Sequence, residues 1–239
     1  MSSLEYRIAP EVFATHPDYC RGLVVMAFAD NTSPSPDLEA LLREAEAGVR
    51  ASVHGSVGDH PRIVAWREAF RAFGAKPSEH RSSIEAMARR VVKPDSLPSI
   101  NPLVDIGNIV SLKYFLPAGV HPLSGSHESL ELRRAKAGDV FIAAGADQPE
   151  TPGADEIVFA SGETVLTRRW TWRQATGSQT LPAATRVFFN VDGLPPVTRA
   201  DVSAAMDEIV QLARRYCRAS ITCTTILDRD QPSVSIRDS

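Results

Sequence analysis

An α+β fold, a mostly antiparallel central sheet flanked by helices in a single domain, is predicted by the order of two periodicities. Helical spacing of apolar residues fills most of the first half of the 239 residues, and short alternating runs fill most of the second. A helix and a last strand then return over Thr198–Leu227. That order suits segregated helices and strands better than a doubly wound parallel sheet. The domain is read as residues 1–228, with 229–239 a flexible tail.

Taken in order, Leu23–Phe28 is a continuous apolar run of the kind that makes a buried strand. Ser35 caps a helix that has Pro36 at its first position and Leu38, Leu41, Leu42 and Ala45 on its apolar face. Pro61 begins a second helix, with Ile63, Trp66, Phe70 and Phe73 at three-four spacing and Gly74 as the stop. Ser82 and Glu85 have the spacing of a capping box ahead of Ile84, Met87 and Val91. Asn101-Pro102 opens another helix that buries Leu103, Ile106 and Val110 and ends before Leu116-Pro117. Strands are expected at Ser129–Ala135, Val140–Ile142, Glu156–Ala160, Thr164–Trp172, Arg186–Val191 and Ser220–Leu227, with a long helix over Thr198–Tyr216.

The composition, 43% hydrophobic and 23% charged, is that of an ordinary soluble globular chain. A net charge of −3 argues against a strongly basic nucleic-acid binder but leaves room for a local basic patch. Cys20, Cys217 and Cys223 have no metal or redox spacing and read as buried thiols of a reducing compartment. No signal core and no membrane-length run is present, so a cytoplasmic location without membrane partners is the expectation. Dinucleotide, Walker, zinc-protease and serine-hydrolase motifs are missing. The six histidines lack ligand spacing, so no metal or other cofactor is expected. Ser124, Ser126 and His127 read as chance neighbours in a turn.

Thr167–Gln174 concentrates two of the three tryptophans with three arginines. As a strand, it places Arg169, Thr171 and Arg173 on one face and Arg168, Trp170, Trp172 and Gln174 on the other. Such a strand either paves a pocket for a flat, polar or anionic ligand or is a core strand whose arginines snorkel outward.

The run Asn101–Pro117, with Val104, Asp105, Asn108, Ser111, Leu112 and Pro117 at matching positions, resembles the aminoacyl-tRNA editing domain of the phenylalanyl-tRNA synthetase β subunit. It resembles the stand-alone proteins built from that domain more closely. Three further blocks agree in order and spacing: Phe73–Arg90, Arg133–Gly138, and Arg168–Gln174 with Thr180. The resemblance implies hydrolysis of a mischarged aminoacyl-tRNA in trans, one substrate class being tRNA for arginine charged with canavanine. Mischarged tRNA is then the partner, with no part for DNA. Oligomeric state is not legible.

On this resemblance the reacting residues would be Asn108, His121 and Glu85. His121 is offset by about two positions from the family's pocket histidine, and the capping-box position of Glu85 gives it a structural role as well. His121 could take a water proton near neutral pH, or be a turn histidine without function. Substrate contacts would come from Asn101, Tyr114, Arg169, Trp170, Trp172, Arg173, Gln174, Thr176 and Thr180. Arg89, Arg90, Lys93 and Arg168 would touch tRNA phosphates; for the first three, simple complementarity to a helix C-terminus is the competing reading. An activated ester needs only an oriented water, a proton acceptor and oxyanion donors, so no covalent nucleophile is required. A module that binds tRNA or another RNA without chemistry, or a hydrolase of small free esters, uses the same residues.

Overall fold

The computed structural model describes residues 3–33, 35–93, 95–123, 127 and 129–237; Ser124 and Ser126 lie outside them. Two sheets share one hydrophobic core. The first has six strands: β1 (Ser3–Ile8), β4 (Ser129–Arg134), β5 (Ile157–Ser161), β6 (Thr164–Arg168), β7 (Arg173–Gln174) and β10 (Ser233–Arg237), in the order β10-β1-β4-β5-β6-β7. The second has four: β2 (Cys20–Ala27), β3 (Ala118–Pro122), β8 (Val187–Gly193) and β9 (Ser220–Leu227), in the order β3-β8-β2-β9. Every named pair is antiparallel except β1 with β4. The predicted single central sheet is therefore two mostly antiparallel sheets, within the predicted α+β class.

The helices are α1 (Pro10–Thr15), α2 (Pro36–Ser52), α3 (Pro61–Ala72), α4 (Ser83–Val92), α5 (Pro102–Tyr114) and α6 (Arg199–Cys217). The starts of α2, α4, α5 and α6 are where the caps predict them, and α3 starts at the expected Pro61; α1, which no side chain caps, is not among the expected helices. Ser35, Ser82, Asn101 and Thr198 each accept a backbone N–H of the first turn, which satisfies a donor the helix cannot use. At α6 the box is reciprocal, because Asp201 also accepts from the Thr198 N–H. At α4 it is not: Glu85 turns away toward arginines, as described below.

One face of the four-stranded sheet carries α6, and the other faces the six-stranded sheet. Tyr6 and Phe159 of the larger sheet meet Phe188 of the smaller at ring-centroid distances of 6.0 and 5.9 Å. Helix α5 lies close against β3, and Gly107 permits this: a Cβ there would stand 3.2 Å from the Ala118 carbonyl oxygen.

Four expectations need correction. Val140–Ile142, expected as a strand, makes only isolated bridges, Val140 with Thr164 and Phe141 with Glu150. The tail is not wholly free, because Ser233–Arg237 adds an edge strand to β1 and buries Ile236. The apolar run after Arg21 ends at Ala27, and Phe28 is 75% exposed with φ of 56°. The double-tryptophan strand stops at Arg168. Arg169 and Trp170 take φ of 45° and 62°, and the chain turns before resuming as β7. A two-residue period therefore does not describe the faces of 168–174.

Candidate functional site

The left-handed pair Arg169-Trp170 costs on the order of 1–2 kcal/mol per residue, which surrounding contacts must offset. The Trp170 N–H donates to the Ile157 carbonyl at 2.7 Å, and the Arg169 N–H donates to Glu156 Oε1 at 3.1 Å. The Trp170 ring meets Tyr19 and Trp66 edge-on at 4.9 and 5.3 Å, and its indole N–H donates to the Tyr19 hydroxyl. The turn thus drives one tryptophan into the core and leaves the next, Trp172, half-buried at the edge of a cavity.

That cavity, about 370 Å³, lies at the end of the sheet interface. Its floor is the inner face of the four-stranded sheet: Arg21 on β2, His121 on β3, and Asn190 and Asp192 on β8. Val104, Gly107 and Asn108 of α5 form one wall, and Ser83 and Met87 of α4 reach it from another side. Thr167, Trp170, Thr171, Trp172, Arg173 and Gln174 close it from the larger sheet.

The floor follows from strand register. Arg21 stands opposite Asp192, and His121 opposite Phe188. Arg21 Nε donates to Asp192 Oδ1 at 2.7 Å, the same oxygen that accepts from the Tyr19 hydroxyl. Arg21 Nη1 reaches the Tyr6 hydroxyl, which donates to Asn190 Oδ1 at 2.6 Å. Burial disfavours the Arg21 charge, but Asp192, Tyr19 and Tyr6 together more than reverse this and keep it protonated. Burial pushes the Tyr6 hydroxyl up to about 12, so it remains a donor.

His121 is buried, stacks on Phe188 at 5.2 Å and lies 3.3 Å from the Gln174 amide nitrogen through Nε2. That amide also donates to the Val120 carbonyl at 2.8 Å. Desolvation, and then the Arg21 charge, push the His121 pKa down to about 3. This weighs against the expectation that His121 takes a water proton: at neutral pH it is an uncharged imidazole but a weak base. Thr167 and Thr171 line the cavity, and their hydroxyls are buried without a hydrogen-bond partner among the described residues.

The cavity thus gathers Asn108, His121, Trp170, Trp172, Arg173 and Gln174 from the residues singled out by sequence. The others stand elsewhere. Glu85 is buried against Arg67 and Arg89, with Oε1 2.6 Å from Arg67 Nη2, and does not face the cavity. Asn101 caps α5 and donates to the Thr180 carbonyl, which joins two segments; Thr180 does not line the cavity, and its buried hydroxyl has no partner among the described residues. Thr176 donates to the Ala143 carbonyl. Tyr114 lies at the far end of α5, beside a different cleft formed with α2 and α3. Arg168 is buried and held by Glu156 and Glu150, which leaves it unsuited to an external phosphate. Arg169 lies behind Trp172, its guanidinium 4.4 Å from the ring centre; Arg173 is 4.6 Å from the same ring. Arg89, Arg90 and Lys93 border a separate basic cleft.

Arg21, Asp192, Asn190, Tyr6 and Tyr19 were missed by sequence reasoning. A signal existed: Asn190 and Asp192 alternate with Phe189 and Val191 in a strand otherwise fit for burial, and a buried polar residue is the informative kind. Among the described residues, no three His, Cys, Asp or Glu side chains are grouped to hold a metal ion, and no helix is long and apolar enough to cross a membrane.

Comparison with known proteins bears on this arrangement. Residues 65–218 match the family described as the B3/4 domain. The chain belongs to the B3/4 domain family. The match begins in α3, ends after α6 and spans every cavity-lining residue except Arg21. The crystal structure of an N-terminal fragment of the phenylalanyl-tRNA synthetase β subunit from Pyrococcus horikoshii is similar at 11% identity and a TM-score of 0.47. All of this chain is covered, but only 55% of that one. No curated protein sequence matches. The family match supports the relationship to the editing domain suggested by the Asn101–Pro117 run.

Proposed function

We propose that this B3/4 protein is a deacylase acting in trans, hydrolysing the ester of a mischarged aminoacyl-tRNA by an oriented water. The observation that carries the reading is the convergence of Asn108, His121, Thr167, Thr171 and the Arg21–Asp192 pair on one cavity. The family and the likeness of the Asn101–Pro117 run to an editing motif support it.

The ester is already activated, so positioning and charge stabilisation carry most of the acceleration. In this reading the Asn108 amide and a threonine hydroxyl donate to the oxygen that becomes negative at the acyl carbon. His121, neutral across the physiological range, holds the attacking water by a hydrogen bond rather than by removing its proton. The vicinal ribose hydroxyl of the substrate relays that proton: it accepts it while passing its own to the ester oxygen, so the acyl C–O bond breaks to release the free amino acid and a tRNA with its terminal hydroxyl restored. Asp192 uses only Oδ1 toward Tyr19 and Arg21, so Oδ2 is the acceptor for a cationic substrate side chain. For that reason canavanyl-tRNA for arginine is the first candidate substrate to test.

The test is a panel of mischarged tRNAs followed for ester loss. Acceleration over buffer for at least one of them, falling about 10–100-fold in Asn108→Ala, is the expected result. No acceleration for any, canavanyl-tRNA included, would sink the proposal. Loss on small aminoacyl esters but not on tRNA would favour the small-ester hydrolase instead.

A further inference from the structure

The chain is acidic overall, yet Arg50–Lys93 carries nine Lys or Arg against four Asp or Glu. Apart from Arg50 on α2 and Arg62, which pairs with Asp201, the fold places these cations on α3, α4 and the loops beside them. Their organising centre is Glu85, whose carboxylate is 1% exposed. Arg67 binds it with Nε and Nη2, Arg89 Nε lies 2.8 Å from Oε1, and Arg81 Nε lies 4.0 Å away. Burial disfavours the Glu85 charge, but the hydrogen bonds from Arg67 and Arg89 outweigh it and hold the pKa below the usual carboxylate range. One carboxylate therefore fixes three guanidiniums and leaves the cluster with surplus positive charge at neutral pH.

Open clefts lie on both sides of it. One, about 540 Å³, is lined by Arg67, Arg71 and Lys76 and the backbone leading to Ser78. The other, about 510 Å³, is lined by Arg81, Arg89, Arg90 and Lys93 with the Gly55–Val57 backbone, and Asp95 is its one lining acid. Complementarity to helix C-termini accounts for Arg71, Arg89 and Arg90, the last also 2.9 Å from Asp95, and Lys76 lies 3.3 Å from Glu79; Arg81, between the helices, has neither account. Helix α4 joins this face to the cavity. Ser83 and Met87 line the cavity, and Arg90 follows Met87 on the same helical face, about 4.5 Å further along the axis.

We propose that the α3–α4 face is a track for an RNA phosphodiester backbone, and that α4 leads the end of that RNA to the cavity. Glu85 acts as a positioning residue that holds the arginine forks toward the phosphates. The choice of RNA as the polyanion rests on the deacylase reading; the surface itself does not. Guanidinium forks suit phosphate oxygens, and each neutralised phosphate adds to the salt dependence of binding.

Binding of uncharged tRNA to the full chain, followed by fluorescence anisotropy across a salt series, tests this without any hydrolysis. Arg81→Gln/Arg90→Gln/Lys93→Gln removes three exposed cations and spares the two arginines hydrogen-bonded to Glu85. Its log K against log salt slope is expected to be shallower by about two, with affinity at least tenfold weaker at low salt. Arg214→Gln/Arg215→Gln/Arg229→Gln, exposed cations elsewhere, should leave both unchanged. An unaltered slope in the first variant, an equal loss in the second, no tRNA binding by the parent chain, or tighter binding to duplex DNA each overturns the proposal. Absent deacylation with intact, α4-dependent binding would instead overturn the deacylase reading alone.

Discussion

Asp192 and Glu85 are both nearly inaccessible carboxylates held by arginine, and they end in opposite roles. Asp192 sits between two sheets, its partner Arg21 is 1% exposed, and tyrosine hydroxyls complete the network. Charge is balanced there, and the pair shapes a cavity wall. Glu85 sits under a helix surface with partners 23%, 37% and 43% exposed, and charge is in surplus. The difference lies in what surrounds each carboxylate. Where two sheets close over an ion pair, charge must be matched, because the desolvation cost of an unmatched ion is several kcal/mol. At a helix surface, water screens the excess, so several guanidiniums can share one carboxylate and still present donors to a ligand.

Removing each carboxylate should break this comparison if it is mistaken. Asp192→Asn leaves Arg21 buried without its counter-charge, and unfolding in urea should show a loss of about 3–5 kcal/mol. Glu85→Gln should cost less, about 1–3 kcal/mol, because its arginines can turn to solvent. An equal or larger loss in Glu85→Gln would mean that the helix cluster is as dry as the sheet interface.

His121 sharpens the same contrast through pH. Its folded pKa, about 3, is depressed below its unfolded value, so the unfolded chain binds the extra proton as pH falls. Its contribution is full above about pH 6.5 and is lost on acidification toward pH 3. Between pH 6 and 4.5 the parent chain should lose up to about 1.4 kcal/mol per pH unit from this group. His121→Gln should remove that slope, and a slope identical in both would show the imidazole to be solvated. The smallest effect concerns the turn that closes the cavity. Arg169→Gly relieves a left-handed backbone but loses the contact with Trp172, so the net change in midpoint should lie within about 1 kcal/mol of zero. A loss above 2 kcal/mol would mean that the Arg169 guanidinium anchors the turn.

Strand formation by 164–168 was legible from β-branched alternation, but the turn at Arg169-Trp170 was not. No glycine or asparagine marks it, and the signal that decides it is the pull of Trp170 toward Tyr19 and Trp66, more than a hundred residues away in sequence. Asn108 was found because its helix carries a motif, whereas Arg21 was passed over at the edge of an apolar run. Glu85 was seen for its cap spacing, yet its carboxylate went to Arg67, a partner on another helix.

The sequence by itself determined the starts of α2 to α6, the span of β9, the α+β class and membership of the family, because capping, periodicity and motif spacing act within a turn or two of chain. Tertiary structure decided the rest: the pairing of Arg21 with Asp192 across β2 and β8, the left-handed turn under the cavity, and the docking of 233–237 on β1. Each depends on desolvation and register between residues far apart in the chain. Local pattern carries no record of those quantities until the sheets meet.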